Sequence, residues 1–159
     1  MIVSYIYCDS CVFLAYFQAE RDRIQILEQL FDEVQIHPEQ KLLTSVISIT
    51  EVSHIAEEKN RKTLNADWKD KLDEFWSDNS LLDFIEFHEP LARKARELIR
   101  RAITFGYSLK PADAIHLASA QYAGATEVFT YDQKLLRFST SIGIDIKEPY
   151  VLQPRLPLE

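Results

Sequence analysis

Near the N-terminus, the run Ile2-Val-Ser-Tyr-Ile-Tyr-Cys8 is β-branched, aromatic and mostly apolar on both alternating faces. A strand with one wet face alternates apolar and polar residues, whereas a central strand of a parallel sheet is buried on both sides and reads like this one. The segments that follow alternate between the two periods. Asp9-Ser10 opens an apolar helix through Val12, Phe13, Tyr16 and Phe17, and Asp22 to Val34 repeats Ile24, Leu27, Leu30 and Phe31 along one helical face. Lys41 to Ser45 reads as a second strand, and Ser48-Ile-Thr-Glu51 has capping-box spacing that starts a helix to about Glu58. Asn65 to Asp78 predicts a helix with Trp68, Leu72, Phe75 and Trp76 inward, followed by a third strand at Leu81 to Phe87. His88 to Phe105 is a long helix with Leu91, Ala95, Leu98, Ile99 and Ala102 on one side, stopped by Gly106. Pro111 suits the first turn of the next helix, which ends at Gly124. Strands at Glu127 to Tyr131 and Ile144 to Ile146 enclose a short last helix. Strands separated by helices predict an α/β fold, a three-layer sandwich whose mainly parallel central sheet is flanked by helices.

With 159 residues and no repeat, linker or low-complexity tract, the expectation is a single domain over 1–159. Such a chain can remove about 70% of its unfolded surface from water. The 47% hydrophobic and 27% charged content argues against disorder. Glycine occurs only at 106, 124 and 143, which excludes glycine-rich phosphate loops of the P-loop or dinucleotide kind. No apolar run reaches the roughly 18 residues of a membrane span, and no basic leader precedes the first strand, so a cytoplasmic protein without a membrane role is expected. The net charge of −7 argues against bulk electrostatic binding of nucleic acid, though not against a nuclease whose clustered acids hold cations. Cys8 and Cys11 have the spacing of a redox dithiol or half a zinc site. With no second pair and apolar flanks, they are read as buried small side chains.

In open parallel sheets, ligands bind outside the carboxyl ends of the strands. Asp9 follows the first strand and Asp132 the fourth, while Glu51 and Asp113 stand in the first turns of helices beginning near the same edge. Each acid alone can be a cap or a dipole partner, worth about 1 kcal/mol. Together they cannot be explained so simply. Carboxylates about 4 Å apart repel by roughly 4 kcal/mol per pair at an effective dielectric near 20. A divalent cation would offset that repulsion. Oxygen ligands favour Mg²⁺ or Mn²⁺, and such ions serve phosphodiester cleavage.

The motifs Tyr7-Cys-Asp9-Ser-Cys-Val12, Ser48-Ile-Thr-Glu51-Val, Lys110-Pro-Ala-Asp113-Ala-Ile-His116-Leu-Ala and Phe129-Thr-Tyr-Asp132 occur in this order across nearly the whole chain. In them the chain resembles the PIN domain family, in particular the VapC-type toxins of bacterial toxin–antitoxin pairs. The third motif is the most specific. The resemblance implies metal-binding carboxylates at Asp9, Glu51 and Asp113, with Asp132 as the family's more variable fourth acid. It also implies that Ser10 and Thr130 line the site as small hydroxyl residues. It implies a Mg²⁺- or Mn²⁺-dependent endoribonuclease, usually a homodimer restrained by an antitoxin protein. The alternative is a non-catalytic RNA- or protein-binding module on the same fold, and a phosphatase or DNA nuclease would use the same metal chemistry.

Other residues carry weaker signals. The acid-x-x-His pairs Glu51/His54 and Asp113/His116 match di-iron helical bundles, but the strands do not fit a bundle. His116 is instead expected to pack or hydrogen-bond beside the site. Arg93, Lys94, Arg96, Arg100 and Arg101 form a basic run that is either a solvated face or, with Lys110, a contact for RNA phosphates. Trp68, Phe75 and Trp76 are either core or an interface stripe.

Overall fold

The computed structural model describes residues 2–152, so residue 1 and residues 153–159 of the expected domain lie outside the described residues. The chain runs β1 (Ser4–Cys8), α1 (Ser10–Phe17), α2 (Ile24–Ile36), β2 (Gln40–Ser45), α3 (Ile47–Glu51), α4 (Ala56–Arg61), α5 (Ala66–Trp76) and β3 (Leu82–Ile85). It continues through α6 (Glu89–Thr104), α7 (Pro111–Tyr122), β4 (Glu127–Phe129), α8 (Gln133–Ile142) and β5 (Asp145–Lys147). The strands form one sheet in the order β3-β2-β1-β4-β5, and every pair is parallel. The run at Ile2 to Cys8 is therefore the central strand. Its pairing begins only at Ser4, opposite Gln40, because Ile2 projects beyond the sheet and is exposed.

The pleat sends alternate residues of β1 into different cores. Ile6 and Cys8 pack on one side with Val12, Phe13, Leu27, Leu30 and Leu72 of α1, α2 and α5. Tyr7 packs on the other with Leu91, Leu98, Leu117 and Phe138 of α6, α7 and α8. Two helical layers and the sheet make the expected three-layer sandwich. Cys8 is fully buried in this core, as a small apolar side chain would be, and burial pushes its thiol pKa well up.

The aromatic stripe on α5 belongs to the first core. Trp68 is buried, and Phe75 and Trp76 pack edge-on against Phe13 at ring separations of 5.8 and 5.1 Å. Phe75 also lines a groove of about 770 Å³ with Tyr16, Phe17 and Phe31, so one edge of the stripe reaches the surface.

One local expectation is corrected. Ser48 does not cap a helix that runs to Glu58. Its hydroxyl is buried against Thr44 Oγ1 at 2.7 Å, and Thr44 donates to the Cys8 carbonyl at 2.8 Å. A hydroxyl engaged with the strand below is not available to helix N–H groups. The helix is accordingly short, and it ends rather than begins at Glu51. Glu58 belongs to the separate helix α4, where its carboxylate accepts from the backbone N–H of Ile55 and of Asn65.

Candidate functional site

From β1 the chain steps to β2 and β3 on one side, then returns to lay β4 on the other. The order therefore reverses between β1 and β4, the place where open parallel sheets bind ligands. Asp9 and Thr130 stand there, just past Cys8 and Phe129, which are paired in register. Asp9 is 4% exposed and caps α1 by accepting from the Cys11 N–H at 3.1 Å. Its Oδ1 also accepts from the Cys11 thiol at 2.7 Å, and its Oδ2 from the Thr130 hydroxyl at 2.5 Å. Burial raises the Asp9 carboxyl above its ordinary pKa, and the His116 ring and these donors only partly offset it. Thr130 Oγ1 in turn accepts from the Asp132 N–H at 3.0 Å, and Asp132 Oδ1 caps α8 through the Lys134 N–H at 2.8 Å.

Glu51 reaches the same edge from the end of α3. Its Oε1 lies 2.5 Å from Nε2 of His116, which sits on α7 one turn after Asp113 and is 2% exposed. Asp113, in the first turn of α7, is half-buried. Burial raises its carboxyl pKa, and the charges of Asp132, Asp9 and Glu51 push it further in that direction against the opposing His116. Three acids thus act electrostatically on Asp113. Among the described residues, the Asp113 carboxylate accepts no hydrogen bond, whereas both Asp9 oxygens are engaged. Ser10, at the start of α1, is half-buried and likewise makes no hydrogen bond to these acids among the described residues.

The four acids gather at one edge without forming a ready-made coordination sphere: among the described residues no three His, Cys, Asp or Glu side chains make a formed metal group. Asp9 is bonded to Cys11 and Thr130, and Glu51 to His116. The donor chemistry still suits a hard cation. All four candidates are carboxylates, and Asp113 is half-buried among like charges with no donor to it among the described residues.

Beside Asp113 and Asp132 opens a cleft of about 320 Å³ whose wall includes Lys110, Lys134 and Arg137. These three cations form no ion pair among the described residues. The basic run on α6 is different in part, since Arg93 and Arg96 are spent on the carboxylates of Glu89 and Glu97.

Two sequence readings change here. Cys11 packs against the first core as expected, but it is more than filler: its thiol bonds Asp9, lies 3.4 Å from Thr130 Oγ1 and accepts from the Tyr131 N–H. An Asp-x-Cys spacing across a helix start was the available signal, because the side chain two residues past an N-cap can fold back over it. The Glu51-x-x-His54 pair is not helical, since α3 stops before His54, which is exposed and bonded to Ser53.

A family model described as PIN domain matches residues 6–140. No curated protein matches the sequence. A chain in the crystal structure of VapBC2 from Rickettsia felis, bound to a DNA fragment from their promoter, superposes with a TM-score of 0.68 at 14% identity, covering 91% of this chain and 98% of that one. DNA-bound VapBC from Salmonella typhimurium gives 0.63 at 15% identity, covering 92% and 98%. VapC20 from Mycobacterium tuberculosis, a sarcin–ricin loop cleaving toxin, gives 0.60 at 17% identity, covering 80% and 90%. At these identities the likeness speaks for the fold.

Proposed function

The chain belongs to the PIN domain family, and from that premise we propose that it is a Mg²⁺- or Mn²⁺-dependent endoribonuclease, the toxin of a toxin–antitoxin pair. The observation that carries this reading is the half-buried Asp113, surrounded by the charges of Asp132, Asp9 and Glu51 at the reversal point of a parallel sheet. Asp9, Glu51, Asp113 and Asp132 would hold the metal. A bound Mg²⁺ or Mn²⁺ supplies a water that ionises near neutral pH and offsets charge on the phosphate. Among the described residues, Asp113 has no protein hydrogen bond to give up on ligating, and Glu51 and Asp132 each commit one oxygen, to His116 and to the Lys134 N–H, and keep the other. Thr130 and Cys11 hold Asp9 by donating to it. Lys110, Lys134 and Arg137 border the cleft beside the acids and suit an RNA backbone approaching an otherwise negative protein. An antitoxin partner is part of the proposal, supported by neighbours that are VapBC and toxin–antitoxin complexes. A homodimer is part of it too, and rests on the family resemblance alone. Among the described residues no helix is long and apolar enough to cross a membrane, which is compatible with a cytoplasmic RNA substrate.

The test is incubation of the purified chain with single-stranded RNA, single-stranded DNA and a phosphomonoester, each with Mn²⁺ or Mg²⁺ and with EDTA. RNA cleavage that EDTA abolishes is expected. RNA retained but uncut with either metal would identify a non-catalytic binding module, and turnover of DNA or monoester alone would reassign the substrate.

A separate expectation concerns the cleft. Lys134→Ala should weaken RNA binding and reduce the salt-dependence slope by about 1, as loss of one phosphate contact does. Arg93→Ala, whose side chain is tied to Glu89, should leave the slope unchanged. Filter binding across a salt series distinguishes them, and an unchanged slope for Lys134→Ala removes the cleft from the RNA path.

A further inference from the structure

A line of hydrogen bonds runs through the core and ends on Glu51. The Ser45 backbone N–H donates to the Tyr7 hydroxyl oxygen at 2.9 Å. The same hydroxyl lies 2.7 Å from Nδ1 of His116, and Nε2 of His116 lies 2.5 Å from Glu51 Oε1. Tyr7 is fully buried and His116 nearly so, and their rings meet edge to face at 5.8 Å. The carboxylate end orders the protons. An ionised Glu51 Oε1 can only accept, so a hydrogen on His116 Nε2 serves it, and Nδ1 is then the acceptor for the Tyr7 hydroxyl, whose oxygen accepts from the Ser45 N–H. Every link therefore points one way, from the β2 backbone to the carboxylate.

Packing alone does not require this. A phenylalanine and a leucine would fill the same space without two buried polar groups that need partners. Glu51 does need support. It closes a helix of five residues, and its side chain is about one-third exposed. Ligating carboxylates are commonly oriented by hydrogen bonds from behind.

We propose that Tyr7 and His116 form a positioning relay that clamps Oε1 of Glu51 and turns its other oxygen toward the cation site, with His116 as the positioning residue. This rests on the metal-dependent reading above.

The test measures Mn²⁺ binding to the purified full-length chain, by the electron paramagnetic resonance signal of free Mn²⁺, with circular dichroism checking that each variant is folded. His116→Leu should weaken Mn²⁺ affinity about 10–100-fold. His116→Gln returns an N–H near the Nε2 position and should recover to within roughly threefold of the parent chain. On a Glu51→Gln background, His116→Leu should change the affinity no further, because its effect passes through that carboxylate. Should His116→Leu fail to fold, Tyr7→Phe removes a single oxygen and should weaken Mn²⁺ binding in the same direction and with the same dependence on Glu51. His116→Leu or Tyr7→Phe binding Mn²⁺ like the parent, or losing the same factor with and without Glu51, overturns the relay while leaving the metal site standing. A parent chain that takes up no Mn²⁺ overturns the metal reading itself, and the relay with it.

Discussion

Asp113→Asn is expected to cut RNA cleavage at least ~100-fold and, in metal-free buffer, to make the protein more stable. On the proposed reading, in which Asp113 holds the metal, the activity loss follows from removing a ligand, since disturbing only the groups behind a ligand already costs about 10–100-fold. The stability gain follows from the surroundings of the carboxyl. Burial, then Asp132, Asp9 and Glu51, raise its pKa in the folded chain above the unfolded value. A carboxyl shifted this way favours the fold below its unfolded pKa and loses that contribution as pH rises through the folded one. At neutral pH the ionised group therefore opposes folding, and the neutral isostere relieves it. A rise in Tm of roughly 2–4 °C, the size of about 1 kcal/mol in a chain of this length, is expected in EDTA. Asp9→Asn should lose as much activity without the gain in stability, because both Asp9 oxygens accept bonds from Cys11 and Thr130 that an amide cannot fully replace. Thermal melts in EDTA beside gel assays of cleavage read both effects. Undiminished cleavage in either variant would take that residue out of the site.

The largest stability loss is expected from Phe13→Ala. Phe13 is fully buried, and its ring meets Phe31, Phe75 and Trp76 at 6.4, 5.8 and 5.1 Å. It joins α1, which carries Asp9 at its cap, to α2 and α5. Truncating a buried phenylalanine costs about 3–5 kcal/mol, a large share of the roughly 5–15 kcal/mol that holds a domain together. Urea unfolding should show that loss with little change in slope, and Tm should fall by about 10 °C or more. A cost below about 1 kcal/mol would mean that the aromatic cluster is loosely packed.

The residues that were legible in the sequence are those governed by local rules. A strand apolar on both faces had to be central, and acids just past strand ends had to face the carboxyl edge. Ser48 was misread because the capping-box spacing is also local, while the partner that takes its hydroxyl, Thr44, depends on the turn between strand and helix. Cys11 reads from sequence only as a buried small side chain, because its polar bonding comes from Thr130 and Tyr131, which a distant strand brings beside it. Tyr7, His116 and Glu51 are far apart in sequence, so only the strand order makes them neighbours. Lys134 and Arg137 gave no signal at all. They became a cleft wall only once α8 lay beside the loop from Gly106 to Lys110.

The pairing of Cys8 with Phe129 has a consequence for how the protein comes into being. During synthesis β1 emerges well before its neighbour β4, since 121 positions separate Asp9 from Thr130. Until β4 is made, Asp9 has no Thr130 to hold it and Asp113 has no Asp132 beside it. The acid cluster is therefore assembled only after every helix from α1 to α7 has been made.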